Sequence, residues 1–172
     1  ARYNTAVGWN SSFSNTTGEF NTAVGYNALN DNTIGTNNTA MGYVALSNNT
    51  TGTQNTAVGV YALNTNTIGQ YNVAIGMSAL RLNTTATQNI AVGYNAMYTN
   101  TIGKDNVAMG SEALKMNTTG YSNNAIGMNA MYANTIGRRN VAVGHRALYT
   151  NTTGNHNTAI GHNALYTNTV GQ

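Results

Sequence analysis

Residues 21–37 read N-T-A-V-G-Y-N-A-L-N-D-N-T-I-G-T-N, and this 17-residue stretch recurs along the whole chain. We number its positions from 1, the first Asn, to 17. The copies follow one another without gap or insertion and begin at Asn4, Asn21, Asn38, Asn55, Asn72, Asn89, Asn106, Asn123, Asn140 and Asn157. A short fixed period is typical of solenoid proteins, in which each repeat stacks on the next. The sequence therefore predicts a single repeat array over residues 1–172.

The invariant positions indicate the kind of solenoid. Position 3 is Ala and position 5 is Gly in all ten copies, positions 12 and 13 are always Asn-Thr, and position 15 is Gly except at Ala86. This content argues against a helical repeat, because Gly and Asn are poor helix formers and helical repeats need about 33–47 residues. Short extended segments ended by Gly fit better, since Gly accepts the positive φ of a tight corner. We predict an all-β fold, a parallel β-solenoid of ten 17-residue coils.

Stacking explains why these positions do not vary. Coils spaced by about 4.8 Å would form a rod roughly 48 Å long, with identical residues above one another. Asn side chains could then form amide ladders along the axis, as in stacked cross-β structures. We predict corner and ladder roles for Asn72, Gly76, Asn83, Thr84, Gly93, Asn100 and Gly103.

The apolar positions predict a thin core. Position 4 is always Val, Ile or Met, and position 9 is Leu or Met after the first copy. We expect both to fill the core, with Ala at positions 3 and 8 where chain segments approach closely. So little apolar surface per coil predicts a lateral partner, and the constant Ala would also let neighbouring copies approach. Position 14 alternates between Thr and Ile along the array, ending in Val170, which fits either a two-copy genetic unit or alternating neighbours.

Composition argues against several classes of function. Charged residues are 6% of the chain, where about 25% is usual, and the seven basic residues are too scattered for a nucleic-acid binder. The absence of Cys excludes disulfides and thiolate metal sites, and the apolar runs are too short to span a membrane. The four acids are scattered, and no nucleophile–base arrangement or phosphate-binding loop is present. We predict neither an enzyme nor a bound cofactor.

Variable positions predict the outer surface. Every charged residue, Tyr and His falls at positions 6, 7, 10, 11, 16 or 17. Aromatic rings at position 10 either stack on a glycan or cover the roll and contact a neighbouring chain. The cations Arg138, Arg139 and Arg146 either meet an anionic polysaccharide or form a solvated patch. His145 and His162 share position 6 and could hold a metal or simply stack. The candidate contact residues are Phe13, Tyr98, Tyr132, Tyr149, Tyr166, Arg138, Arg139 and Arg146.

Two stretches carry a resemblance to known families. N-V-A-I-G-M-S-A at residues 72–79 and N-T-A-V-G-Y-N-A at residues 21–28 resemble the heads of trimeric autotransporter adhesins of the YadA type. The longer pattern is similar to the N-T-A-[VI]-G-x-x-A-L-x-x-N-T-T-G arrays of bacteriophage tail fibres and related bacterial surface fibres, and it covers the whole chain. The unit is longer here than in the YadA head, by residues around L-x-x-N-T. The resemblance implies a left-handed parallel β-roll, three chains side by side, and attachment to cells or surfaces.

These observations predict a structural protein whose main partner is itself. We expect a fibre or stalk segment of a surface adhesin or phage tail fibre, located outside the cell or on a virion, that contacts a glycan or receptor. Ala1-Arg2-Tyr3 reads as the end of a preceding repeat, so we expect a longer array. Two alternatives are a self-assembling extracellular filament and an ice-binding solenoid, since Thr16 to Thr169 form an unbroken column at position 13.

Overall fold

A computed structural model describes residues 1–171 as a parallel β-solenoid. Each repeat contributes one three-residue strand at positions 2–4, and the ten strands stack in chain order into one sheet. No helix occurs in residues 1–171. The predicted all-β solenoid is confirmed. The strands are β1 Thr5–Val7, β2 Thr22–Val24, β3 Thr39–Met41, β4 Thr56–Val58, β5 Val73–Ile75, β6 Ile90–Val92, β7 Val107–Met109, β8 Asn124–Ile126, β9 Val141–Val143 and β10 Thr158–Ile160.

Neighbouring coils are in register around their whole circumference. In the sheet, Ala74 pairs with Ala57 on one side and with Ala91 on the other. The turns are tied to the next coil as well, since the Leu80 amide donates to the Ala96 carbonyl at 3.0 Å. Hydrogen bonds parallel to the rod axis therefore hold both the short strands and the irregular part of each coil.

The core contains Ala at positions 3 and 8 and Leu or Met at position 9. Ala74, Ala79 and Leu80 are completely buried. The prediction that position 4 fills the core is wrong: Ile75 and Ile126 are 40% and 41% exposed. Successive side chains of a strand point to opposite faces, so the inward Ala at position 3 forces position 4 outward. In the described residues, each interior coil buries only one large apolar side chain.

The Ala columns bring segments of the same coil together. Both columns lie inside the solenoid with no exposed surface in the interior coils. The predicted role of Ala in contacts between neighbouring copies is therefore wrong, whereas its role at a close approach within the coil agrees with this burial. The variable positions mostly face outward, with exceptions at Ser47 and Ser78, which are 7% and 6% exposed.

The two Gly columns serve different purposes. Gly76, at position 5, has a φ of +125°, and a β-carbon there would lie 2.6 Å from the Gly93 carbonyl oxygen of the next coil. At position 15 the Gly residues do not have positive φ. Instead, a β-carbon on Gly103 would lie 2.5 Å from the Asn100 side-chain oxygen. Position 5 needs Gly for its conformation and close approach, whereas position 15 needs it only for space.

Three further corners per coil are left-handed without Gly, at positions 7, 9 and 17. In one coil Ser78, Leu80 and Gln88 have φ values of +58°, +49° and +59°. This conformation costs an ordinary residue about 1–2 kcal/mol. Each of the three amides donates to a carbonyl of an adjacent coil, at 2.9, 3.0 and 3.1 Å respectively. The stacked neighbours therefore hold a conformation that the isolated sequence does not favour.

Two buried Asn ladders run along the rod. At position 12, Asn83 Nδ2 donates to Asn66 Oδ1 at 2.8 Å, and Asn100 Nδ2 donates to Asn83 Oδ1 at 3.1 Å. At position 1, Asn72 Nδ2 donates to Asn55 Oδ1 at 3.1 Å, and Asn72 Oδ1 accepts from the Asn89 amide at 3.1 Å. The side chains of these Asn residues are fully buried. Their side-chain amides therefore bond to groups in adjacent coils in place of water.

Candidate functional site

The aromatic residues at position 10 form a stack near the C-terminal end. The ring centroids of Tyr132 and Tyr149 are 5.2 Å apart and those of Tyr149 and Tyr166 are 5.0 Å apart, with nearly parallel planes. One ring per coil gives this spacing directly, because the coil repeat is about 4.8 Å. Tyr98 belongs to the same column but is separated from the stack by one coil. Phe13, 74% exposed, lies far from them in the first coil.

Cations occupy the gaps in this column. Arg81 lies over the Tyr61 ring at 4.5 Å and over the Tyr98 ring at 5.8 Å from the centroid. The Lys115 ammonium lies 5.4 Å from the Tyr132 centroid. These are favourable cation–π distances. Cations and tyrosines thus alternate along one edge of the rod.

The line of contacts continues toward the N-terminal end, and a further cation flanks the stack at the C-terminal end. Tyr26 stacks on Tyr43 at 5.3 Å, and Tyr43 meets Tyr61 edge to face at 5.4 Å. At the other end, Arg146 lies 5.7 Å from the Tyr149 centroid. We call this continuous surface the Tyr–cation ribbon; its members are Tyr26, Tyr43, Tyr61, Arg81, Tyr98, Lys115, Tyr132, Arg146, Tyr149 and Tyr166.

Only part of the ribbon was predicted from the sequence. The position-10 tyrosines and Arg146 were among the candidate contact residues, whereas Tyr61, Arg81 and Lys115 were not. The signal was available for Arg81 and Lys115, because they occupy position 10 in the same column as the tyrosines. Tyr61 lies at position 7. The sequence alone does not show that position 7 lies on the same side of the turn as position 10.

A cleft of about 380 Å³ opens in the middle of the ribbon. Its lining includes two cations, Arg81 and Lys115, and two tyrosines, Tyr94 and Tyr98. Arg81 Nη1 also reaches the Tyr98 hydroxyl at 3.5 Å. The lining residues are Met77, Ser78, Arg81, Tyr94, Asn95, Tyr98 and Lys115.

The cations of the ribbon differ in their pairing. Lys115 Nζ donates to Glu112 Oε1 at 2.7 Å, the only ion pair in residues 1–171. This hydrogen bond raises the pKa of Lys115 above its ordinary value. Arg81 and Arg146 have no carboxylate partner within the described chain. The ribbon therefore carries positive charge that tyrosine rings contact but do not neutralise.

Arg138 and Arg139 lie on a different corner. Arg138 Nη1 donates to the Tyr121 hydroxyl at 2.9 Å, and Arg139 Nη1 lies 3.4 Å from His156 Nε2. These residues occupy positions 16 and 17, and the strand of each coil stands between that corner and the ribbon. The structure thus separates them from Arg146, with which sequence analysis had grouped them.

The two histidines at position 6 stack on each other. The rings of His145 and His162 are 4.9 Å apart. Desolvation lowers the pKa of His145, and the nearby Arg146 and His162 lower it further. No group of three side chains able to hold a metal ion occurs in residues 1–171. The neutral, stacked form of His145 is the one that this corner favours.

The Thr column at position 13 uses its hydroxyl groups within the solenoid. Thr33 Oγ1 donates to the Thr50 carbonyl at 3.0 Å, and Thr84 Oγ1 donates to the Thr101 carbonyl at 3.2 Å. The same bond is formed in the coils between them. These hydroxyl hydrogens therefore stabilise the stack and do not project freely into solvent.

The outer surface of the sheet is a second long feature. We call it the sheet face: the side chains at positions 2 and 4 of all ten coils. Position 2 is Thr, Val, Ile or Asn and position 4 is Val, Ile or Met, so neither column contains a charge. Met41, Ile90 and Met109 are at least 40% exposed. An uncharged, largely apolar strip along the full rod is unusual for a surface that faces only water.

Comparisons of the chain with protein-family models, with curated proteins and with solved structures find no match. No helix in residues 1–171 has the length and apolar character needed to cross a membrane. The sheet face and the Tyr–cation ribbon are the two long surface features of the rod.

Proposed function

We propose that this chain is a structural segment of an extracellular fibre, either a cell-surface adhesin or a phage tail fibre. It acts as a rigid scaffold that contacts a glycan or receptor. The observation that carries the proposal is the unbroken register of ten coils, each with the same strand, corners and ladders. A constant cross-section suits a spacer whose length depends on the number of repeats.

Rigidity comes from the direction of the hydrogen bonds. Within each interior coil, the backbone bonds at positions 2, 9 and 13 connect to the next coil, as at Val73, Leu80 and Thr84. The two Asn ladders add side-chain bonds in the same direction. Bending the rod would stretch bonds on one side of every coil, so the array resists bending along its whole length.

Association of copies through the sheet face would complete this fibre. The core of one coil is small, because only Leu80 or its equivalent is a large buried side chain. Position 4 then leaves side chains such as Ile75 and Ile126 about 40% exposed. Burying them against the same face of other copies would add apolar burial in every coil without like-charge repulsion. The resemblance to trimeric adhesin heads supplies the number, a side-by-side homotrimer.

Such packing would leave the ribbon available for contact. The sheet face uses positions 2 and 4, whereas the ribbon uses positions 6, 7 and 10 beyond the Gly corner, for example after Gly76. One surface can therefore associate with copies while the other meets a glycan or receptor. This division supports a scaffold that also attaches.

The two alternatives make different predictions about the purified protein. Ice binding is disfavoured, because the Thr hydroxyls at position 13 already donate to backbone carbonyls. A self-assembling filament would extend indefinitely by end-to-end stacking of coils. A fibre segment should instead give rods of one length.

Negative-stain electron microscopy of the purified protein tests the proposal. We expect short uniform rods about 48 Å long for ten coils at 4.8 Å each, and wider than one solenoid. Indefinite filaments would favour the filament alternative, and thermal hysteresis in the same sample would favour ice binding. Isolated thin rods that never associate would contradict the side-by-side arrangement.

A further inference from the structure

We infer that the Tyr–cation ribbon is a binding site for a linear acidic polysaccharide with one carboxylate on every second sugar ring. The inference rests on the proposed function, because it names the ligand class of the attachment surface. The ribbon's cations occupy the fifth, seventh and ninth coils at Arg81, Lys115 and Arg146. Stacked coils place successive cations about 9.6 Å apart along the rod axis, with Arg81 and Lys115 at position 10 and Arg146 at position 7.

The spacing selects among polyanions. Each strand of duplex DNA carries one charge per about 3.4 Å of helix axis, so most phosphates of a strand with that spacing would have no partner here. A polysaccharide in which acidic and neutral rings alternate has a sparser charge, separated by two rings. Its carboxylates can meet Arg81 and Lys115 while the neutral ring between them lies over Tyr98. The geometry therefore matches alternating rings better than a densely charged chain.

The tyrosines supply the second part of recognition. One face of a pyranose ring carries mainly C–H groups, which pack well on an aromatic ring. Tyr98 is half-buried and Tyr94 is 48% exposed, and both line the central cleft. The cleft volume of about 380 Å³ lies within the range of small-ligand pockets. Ser78 and Asn95 provide hydroxyl and amide groups at its wall.

Charge in the surrounding chain favours an anion. Six of the seven Lys and Arg residues lie at or after residue 81, together with only two acids. One of those acids, Glu112, is bound to Lys115. The ammonium keeps further hydrogen-bond donors, but the pair lowers the local attraction for an anion. Glu112 thus weakens the middle site, and its removal should strengthen binding.

Calorimetric titration of the intact chain with a hyaluronan decasaccharide tests the inference. In this probe glucuronate alternates with N-acetylglucosamine. The ribbon variant combines Arg81→Gln, Lys115→Gln and Arg146→Gln. A matched control on the opposite corner combines Lys104→Gln, Arg138→Gln and Arg139→Gln, which changes the net charge equally.

We expect the ribbon variant to lose affinity by about tenfold or more and the control to bind like the natural sequence. Tyr98→Leu should also weaken binding without any change in charge, and Glu112→Gln should strengthen it. Equal losses in both triple variants would overturn the inference, since diffuse charge would explain them. So would the absence of binding by the natural sequence, or tighter binding of oligothymidylate than of hyaluronan.

Microscopy of the same samples separates this inference from the proposed function. Uniform associated rods that fail to bind hyaluronan would overturn only the ligand assignment. Binding by dispersed single rods would overturn the side-by-side fibre and leave the ribbon site standing.

Discussion

Asn83 donates a hydrogen bond of 3.4 Å to the Ala86 carbonyl, longer than the equivalent bond in any other coil of the described chain. Where position 15 is Gly, this bond measures 2.9–3.2 Å. The backbone bond from position 14 to the next coil, 3.3 Å at Ile102, is not formed at Thr85. A β-carbon at position 15 crowds the Asn side chain, so Ala86 lengthens the bond from Asn83 to the carbonyl within its own coil, while the ladder bond to Asn66 stays at 2.8 Å.

Ala86→Gly should therefore stabilise the array. The change removes the crowding, shortens the bond from Asn83 to the position-15 carbonyl and restores the backbone bond that is missing at Thr85. These gains offset the greater freedom of Gly in the unfolded chain. We expect the free energy of unfolding to rise by about 1 kcal/mol, measured by urea denaturation. The reverse change at an ordinary coil, Gly103→Ala, should lower it. A less stable Ala86→Gly protein would contradict this explanation of the long bond.

Asn100→Asp should strongly destabilise the array at neutral pH. Asn100 Nδ2 donates to Asn83 Oδ1 at 3.1 Å and to the Gly103 carbonyl at 2.9 Å, and a carboxylate would face both acceptors while fully buried. We expect a loss of about 3–5 kcal/mol.

The loss at position 100 should shrink as the pH falls. Burial raises the pKa of the new carboxyl above its unfolded value of about 3.9. Protonation then favours the folded state, so stability relative to the natural sequence recovers below the raised pKa. Urea denaturation between neutral and acidic pH measures this recovery of the free energy of unfolding. The matched control is Asn48→Asp at an exposed position. A pH-independent deficit would contradict the buried-ladder assignment.

Gly76→Val should prevent its coil from forming. A β-branched residue resists a φ of +125°, and its β-carbon would lie 2.6 Å from the Gly93 carbonyl oxygen. We expect a loss above about 3 kcal/mol. Met77→Val, at an exposed neighbouring position, is the control. Equal melting temperatures of the two variants, measured by circular dichroism, would refute the corner assignment.

Charges on the sheet face should separate the copies without unfolding them. Ile75→Asp with Ile126→Asp places two carboxylates per chain on the proposed interface. Met77→Asp with Met128→Asp places them at position 6 of the same two coils, where exposure is 48% and 49%. Light scattering should show dissociation for the first pair only, with unchanged circular dichroism. Association that survives the first pair would remove the sheet face as the interface.

The fold was predictable because the repeat itself determines it. Invariant Gly and Asn, combined with a fixed period of 17, leave a stacked β-coil as the simplest structure. The direction of position 4 was mispredicted because apolar character was taken to mean burial. The alternation rule, applied to the invariant Ala at position 3, would have placed Ile75 outside.

Other features had no local signal. Leu80 is left-handed at +49°, although Leu strongly prefers other conformations. The hydrogen bond from its backbone amide to the Ala96 carbonyl stabilises this conformation, and it forms only between stacked coils. The ribbon was partly hidden for a similar reason, because Tyr61 and Arg81 meet across adjacent coils and from different repeat positions.

Sedimentation equilibrium of the natural sequence measures whether the copies associate. We expect the chain of 18.1 kDa to sediment at micromolar concentration as an assembly of three copies, with the β-rich circular dichroism of the solenoid. A stable, folded species with the mass of one chain would contradict it and would show that the thin core suffices alone.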